Sequence, residues 1–319
     1  MKKIIAAAVA TAFVAPAFAA EVTLSGALTY NYISSDAAST GDKVENDDNK
    51  IVVTATEELA NGISVKGNFN LVDDTTGGLD NQGTSLTLSG AFGSLGLGDV
   101  SGALDATGDY TDVSPVFGGY RMDGDDMAIA YTLPAIIPNV KIVASVSPDG
   151  ANFAGDDPFA TEGEGGNAVS VTYSAGSFSV YYGEETYDEA TSQEANTDSM
   201  GVKYSSGPIM VAYETGTGTN LDLSAGTFPA HAAALTNIKA DFTGLAGVYT
   251  MGDTKVGFEM QKIEDKSSST TVDRLDETTL FVSQSLGGGV TVYAATSSDD
   301  GGPDDTDLTR NALGVSFAF

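Results

Sequence analysis

From about residue 21 onward, the chain alternates apolar and polar positions at a period of two almost to its last residue. In the first such segment Val22, Leu24, Leu28, Tyr30 and Tyr32 fall on one side, and Thr23, Ser25, Thr29 and Asn31 on the other. The pattern returns in Ile63/Val65/Phe69/Leu71, Met127/Ile129/Tyr131/Leu133, Val140/Ile142/Ala144/Val146, Val169/Val171/Tyr173, Phe178/Val180/Tyr182, Ile209/Val211/Tyr213, Val256/Phe258/Met260 and Leu313/Val315/Phe317/Phe319. Successive side chains on a strand point to opposite faces, so each segment reads as a strand with one apolar face. No segment of similar length repeats at 3.6 residues. The spacing predicts sixteen strands, at 21–34, 49–58, 62–72, 81–91, 94–100, 126–133, 139–147, 167–175, 177–186, 197–206, 208–216, 242–251, 254–264, 275–285, 289–297 and 309–319.

The links between these strands alternate strictly between short and long. Short ones such as Ala175–Gly176, Ser206–Gly207 and Gly252-Asp253 carry the residues that tight turns need. Long ones occupy 35–48, 73–80, 101–125, 148–166, 187–196, 217–241, 265–274 and 298–308. A soluble sandwich has no reason to keep that alternation, whereas a membrane barrel does, with short periplasmic turns and long outer loops. Sixteen strands also enclose a lumen too wide for side chains to fill, so the apolar set must face lipid and the polar set water. The expected fold is therefore all-β, a 16-stranded antiparallel transmembrane β-barrel in one domain. Tyr30, Tyr32, Tyr131, Tyr173, Tyr182, Tyr213, Phe317 and Phe319 are its candidate headgroup aromatics.

The first twenty residues are of another kind. Met1-Lys2-Lys3, the uncharged run Ile4–Ala15 and Pro16-Ala17-Phe18-Ala19 have the layout of a secretory signal peptide over 1–19, cut near Ala19 or Ala20, leaving a barrel domain at 20–319. Without Lys2 and Lys3 the remaining chain has 12 bases against 44 acids, a net charge of −32. That excess repels phosphates, so no nucleic acid is expected as a partner. With no Cys and a single His, His231, neither a thiolate nucleophile nor a His-based triad can be built, and no Gly-x-Ser-x-Gly elbow occurs. An enzyme is not expected, and His231 is assigned no role.

The run from Leu86 to Asp99, Leu-Thr-Leu-Ser-Gly-Ala-Phe-Gly-Ser-Leu-Gly-Leu-Gly-Asp, resembles the strand–turn–strand signature of the Gram-negative general porins, most closely those of the Rhodobacter type. Glu21-Val22-Thr23-Leu24-Ser25-Gly26 and the final Phe319 are similar to the family's mature ends. The resemblance implies an outer-membrane homotrimer of water-filled barrels for passive diffusion of small hydrophilic solutes and ions. It also implies contacts with lipopolysaccharide, recognition of Phe319 by the barrel-assembly machinery, and a third outer loop folded into the lumen as a constriction. That loop would present Asp105, Asp109, Asp112, Arg121, Asp123 and Asp125, with Asp126 just beyond it. Facing it, the alternation offers Lys50, Lys66, Lys141, Lys203 and Lys255 as wall bases. Only three arginines are present, Arg121, Arg274 and Arg310, so the constriction is expected to be acidic and the channel cation-preferring.

No cofactor is required by this reading. Asp299, Asp300, Asp304, Asp305 and Asp307 are oxygen-rich enough for structural calcium, but they lack the spacing of a calcium-binding loop, and a solvated acidic loop is preferred. The alternative for the whole chain is a secreted acidic calcium-binding surface-layer protein, which would need glycine–aspartate repeats that are absent.

Overall fold

The computed structural model describes residues 20–36, 41–46, 49–71, 83–119, 126–148, 165–188, 194–223, 235–268, 271–300 and 307–319. The expected signal segment, Arg121, Asp123, Asp125, His231, Asp304 and Asp305 lie outside them. Among the described residues seventeen strands form one antiparallel sheet. They are β1 (Glu21–Ser35), β2 (Lys43–Asn46), β3 (Lys50–Glu58), β4 (Ser64–Asn70), β5 (Thr84–Gly90), β6 (Gly93–Ser101), β7 (Asp126–Thr132), β8 (Val140–Ser147), β9 (Gly166–Ala175), β10 (Phe178–Asp188), β11 (Glu194–Ser206), β12 (Ile209–Leu223), β13 (Leu235–Met251), β14 (Thr254–Asp265), β15 (Val272–Gly287), β16 (Val290–Asp299) and β17 (Leu308–Ala318). Apart from β2 and β3, which both pair with β1, each strand pairs with its neighbours in sequence, and β17 pairs with β1 from Ala27↔Ala318 to Ser35↔Arg310, so the sheet closes. Closure removes every edge and pairs the backbone within the wall, as hydrocarbon surroundings demand.

The wall is sixteen strands around, because β2 and β3 share one place in it. Lys43–Asn46 pairs with Tyr30–Ile33 of β1, and Lys50–Thr56 with Glu21–Ala27 of the same strand. At the break between them the buried Asn49 side chain accepts a hydrogen bond from the Thr29 amide at 2.6 Å, replacing the missing backbone partner. The two-residue period locates the second wall strand from β3, and β2 is its continuation past the break.

The apolar face points outward. Leu24, Leu28, Tyr30, Tyr173, Tyr182, Tyr213, Leu280 and Leu313 are all exposed, which in water would be untenable and in lipid is required. The short turns are built as hairpins of twisted strands need: Gly176, Gly207 and Gly252 open two-residue turns at φ 59°, 55° and 58°.

Two strands run well beyond their expected ends. β12 and β13 extend outward past 216 and start before 242 because their outer halves invert the polarity rule. There Leu221, Ile238, Ala240 and Phe242 face inward and join Tyr187, Ala195, Ile263 and Leu275 in an apolar cluster inside the barrel, all at or below 6% exposure. A bulge around Asn220, which sits at φ 58°, turns Leu221 inward. Met127, read as lipid-facing, is likewise buried against Ala103, Val143 and Ala168 beside an irregularity in the β6–β7 pairing.

Candidate functional site

The third outer loop leaves β6 at Gly102 and, over its described part to Gly119, runs along the inner wall rather than out into solvent. Its path is fixed by one contact after another on successive strands. At its start the Ala103 amide donates to the Ser145 hydroxyl of β8 at 2.8 Å, and Lys141 Nζ donates to the Ala106 carbonyl at 3.0 Å. A single 3-10 turn, Asp105–Thr107, follows, closed by the Thr107 hydroxyl on the Leu104 carbonyl.

Next the loop reaches β12, where Glu214 is fully buried. Its Oε1 accepts from the Tyr110 amide at 3.1 Å and the Tyr181 hydroxyl at 2.6 Å. Its Oε2 accepts from the Thr111 amide at 2.8 Å and the Thr111 hydroxyl at 2.6 Å. Four donors on one carboxylate repay the cost of taking it out of water. Tyr110 stacks edge-on against Tyr181 with centroids 5.0 Å apart, shares a hydrogen bond with Ser179, and lies beneath the Lys203 ammonium, 4.0 Å from its ring centre. Burial, reinforced by the negative Glu214, pushes the Tyr110 phenol above its ordinary pKa, so it stays neutral.

Further along, Glu259 of β14 accepts the amides of Val113 and Ser114 at 2.9 and 2.8 Å, both on Oε2. The Ser114 hydroxyl then accepts the Phe117 amide at 3.3 Å, tightening the chain so that Phe117 turns into a cluster with Ile33, Phe281, Ala295 and Ala312. Arg310 of β17 holds this end, its guanidinium carbon 4.5 Å from the Phe117 ring centre and its Nη2 2.6 Å from Glu277 Oε2.

Of the sequence-predicted loop acids, Asp105 is half-buried on the turn, and Asp109 and Asp112 are exposed. The wall bases do not act as one group. Lys141 and Lys203 touch the loop, at the Ala106 carbonyl and over the Tyr110 ring. Lys255 is exposed near the β13–β14 turn. Lys50, also exposed, starts β3, and Lys66 sits on β4 among Thr54, Asn68, Asn70, Ser85 and Thr87, along a cavity of about 540 Å³ that also reaches Asp99. This hydroxyl- and amide-lined wall is the stretch from which the loop makes none of the contacts above.

Glu214, Glu259, Glu277 and Arg310 were not singled out from sequence. The available signal was a glutamate at an inward position flanked by small inward neighbours, as with Glu214 between Ala212 and Gly216. For calcium, Asp299 is buried with Oδ1 accepting the Asp276 amide, and Asp300 Oδ1 accepts the Ser298 hydroxyl. Among the described residues no three acidic, His or Cys side chains converge as a metal site.

Comparison with known proteins agrees with this architecture. Residues 6–303 match the family model described as Gram-negative porin. A porin of Rhodobacter capsulatus is 25% identical over 292 residues, covering 85% of this chain and 92% of that one. Among solved structures, the trimer form of OmpT, an outer-membrane protein of Vibrio cholerae, superposes with a TM-score of 0.70 at 14% identity, over 94% of this chain and 99% of that one. An anion-selective porin from Comamonas acidovorans does so with a TM-score of 0.69 at 15% identity, over 94% and 100%. A closed barrel crossed by an inward loop excludes the surface-layer alternative, and the chain belongs to the Gram-negative porin family, an outer-membrane channel and not an enzyme.

Proposed function

We propose that the protein is a trimeric passive-diffusion pore for small hydrophilic solutes, narrowed by its third loop and preferring cations. The observation that carries the preference is the distribution of lumenal bases. Lys141, Lys203 and Arg310 each lie against the loop, to a carbonyl, a tyrosine face and a phenylalanine face respectively. Arg274 is paired with the buried Asp265 at 2.6 Å. The loop acids Asp109 and Asp112 are exposed, while Lys66 lies along the wall from which the loop makes none of these contacts. Charge at a constriction biases which ions enter. The barrel itself does not set the sign, since the Comamonas acidovorans relative of the same fold is described as anion-selective.

Reversal potentials in planar bilayers under a salt gradient test the reading: a cation-selective sign is expected, and clear anion preference overturns it. The trimer, taken from the form described for the Vibrio cholerae protein, is tested by the mass of the unheated protein in detergent.

A further inference from the structure

We propose that Glu214 and Glu259 are the positioning residues that set the aperture of the pore, and that they do so by different means, Glu214 as a fixed clamp and Glu259 as a single-oxygen latch. This rests on the third loop being the constriction. Neither carboxylate is available to a passing ion, since both are at or below 2% exposure, so their part is in placing the loop and not in contacting solute.

The hydrogen bonds distinguish the two. At Glu214 both oxygens accept, two donors each, from the loop and from Tyr181 behind it. At Glu259 both loop amides converge on Oε2, while Oε1 is buried with no hydrogen-bond partner among the described residues. That oxygen is accommodated only because residue 118 is glycine: a Cβ there would lie 1.5 Å from Oε1, and Gly118 stands at φ 107°. The loop thus has a half around Tyr110 and Thr111 that is held by a saturated acceptor, and a half from Val113 to Gly119 held by one oxygen and by Phe117.

Glutamine separates the two anchors, because at either position it keeps one acceptor oxygen and replaces the other by a donor. At 259 the amide carbonyl can accept both loop N–H groups, leaving the NH2 where the unpartnered oxygen was. At 214 either orientation sets an NH2 against a loop N–H; the hydroxyl on the same side can turn to accept, but the backbone bond is lost and two donors are left facing each other.

The test is single-channel recording in planar bilayers of Glu214→Gln, Glu214→Ala, Glu259→Gln and Glu259→Ala, with solute size limits from vesicle swelling. Glu259→Gln is expected to keep the wild-type conductance, noise and size limit. Glu259→Ala and both Glu214 variants are expected to raise the occupancy of loop-displaced conductance levels by roughly tenfold or more, the effect of leaving buried loop N–H groups without an acceptor. If either Glu214 variant fails to fold, Ser114→Cys/Glu259→Cys serves in its place, with no native cysteine to interfere. Its noise should rise, and should fall again when a short bifunctional thiol reagent bridges the two sites. A wild-type channel with all variants conducting alike, the two glutamine variants behaving identically, or bridging without effect overturns the assignment. A wild-type protein that does not conduct at all overturns instead the pore reading on which it rests.

Discussion

Arg310 serves both a buried acid, Glu277, and the Phe117 stretch of the third loop. Its Nη2 lies 2.6 Å from Glu277 Oε2, with side chains 17% and 2% exposed. Replacing it with Met keeps most of the stem and removes the charge. Glu277 would keep the Thr279 hydroxyl on Oε1 at 3.1 Å but lose the ion on Oε2. Stranding one partner of a buried pair costs about 3–5 kcal/mol. Losing the cation from the Phe117 face adds roughly 0.5–2 kcal/mol. The dominant part is the uncompensated carboxylate, so a second change, Glu277→Gln, should return most of the loss, leaving the double variant about 1–2 kcal/mol below wild type. The assay is urea unfolding in detergent or lipid followed by far-ultraviolet circular dichroism, since the chain has no Trp to report by fluorescence. An Arg310→Met protein within about 1 kcal/mol of wild type, or a double variant no better than the single, would refute the reasoning that this pair is a coupled buried unit.

Other outcomes follow from the same geometry. Gly118→Ala combines an unfavourable φ, costing about 1–3 kcal/mol, with a collision at Glu259, and should give the noisy conductance expected of Glu259→Ala in bilayer recordings. Lys66→Gln should increase the cation-selective reversal potential, whereas Lys203→Gln should move it less because that ammonium lies over Tyr110. Equal shifts would argue against the distinction between the open wall and the loop side. At the barrel seam, a Cβ on Gly314 would stand 2.2 Å from the Tyr293 ring and 2.4 Å from Asn31 Oδ1, so Gly314→Ala should cost about 1–3 kcal/mol in unfolding. Gly67→Ala, whose Cβ would come no nearer than 4.0 Å to the Phe69 ring, is the control and should be close to neutral.

Most of the wall was legible because its rule is local. A strand crossing lipid with water on its other face must alternate, and Val169–Tyr173 or Phe178–Tyr182 states that rule in five residues. The rule failed where the inner face turns apolar. Leu221, Ile238 and Phe242 pack together inside the barrel, so β12 and β13 run on past their expected ends. It also failed at Asn49, where a side chain bridges a break that alternation cannot register. The loop was legible as a long link beginning after Asp99, and as an inward fold only through family resemblance.

What holds the loop could not be read from spacing. Glu214 and Glu259 stand 103 and 145 residues from the amides of Thr111 and Ser114 they accept, and a carboxylate on a water-facing position looks the same in sequence whether it meets solvent or a folded-in backbone. Lys141, Lys203 and Lys66 likewise share one parity, and only the closed barrel puts two of them against the loop and the third along the open wall. The sequence by itself determined that the chain is a lipid-facing barrel of sixteen wall strands, because alternation, turn chemistry and link length are each set within a few residues. Tertiary structure alone decided the pore's interior, because curling the sheet brings residues from distant strands around one lumen, and their pairing there depends on angular position around the barrel, which no linear pattern encodes.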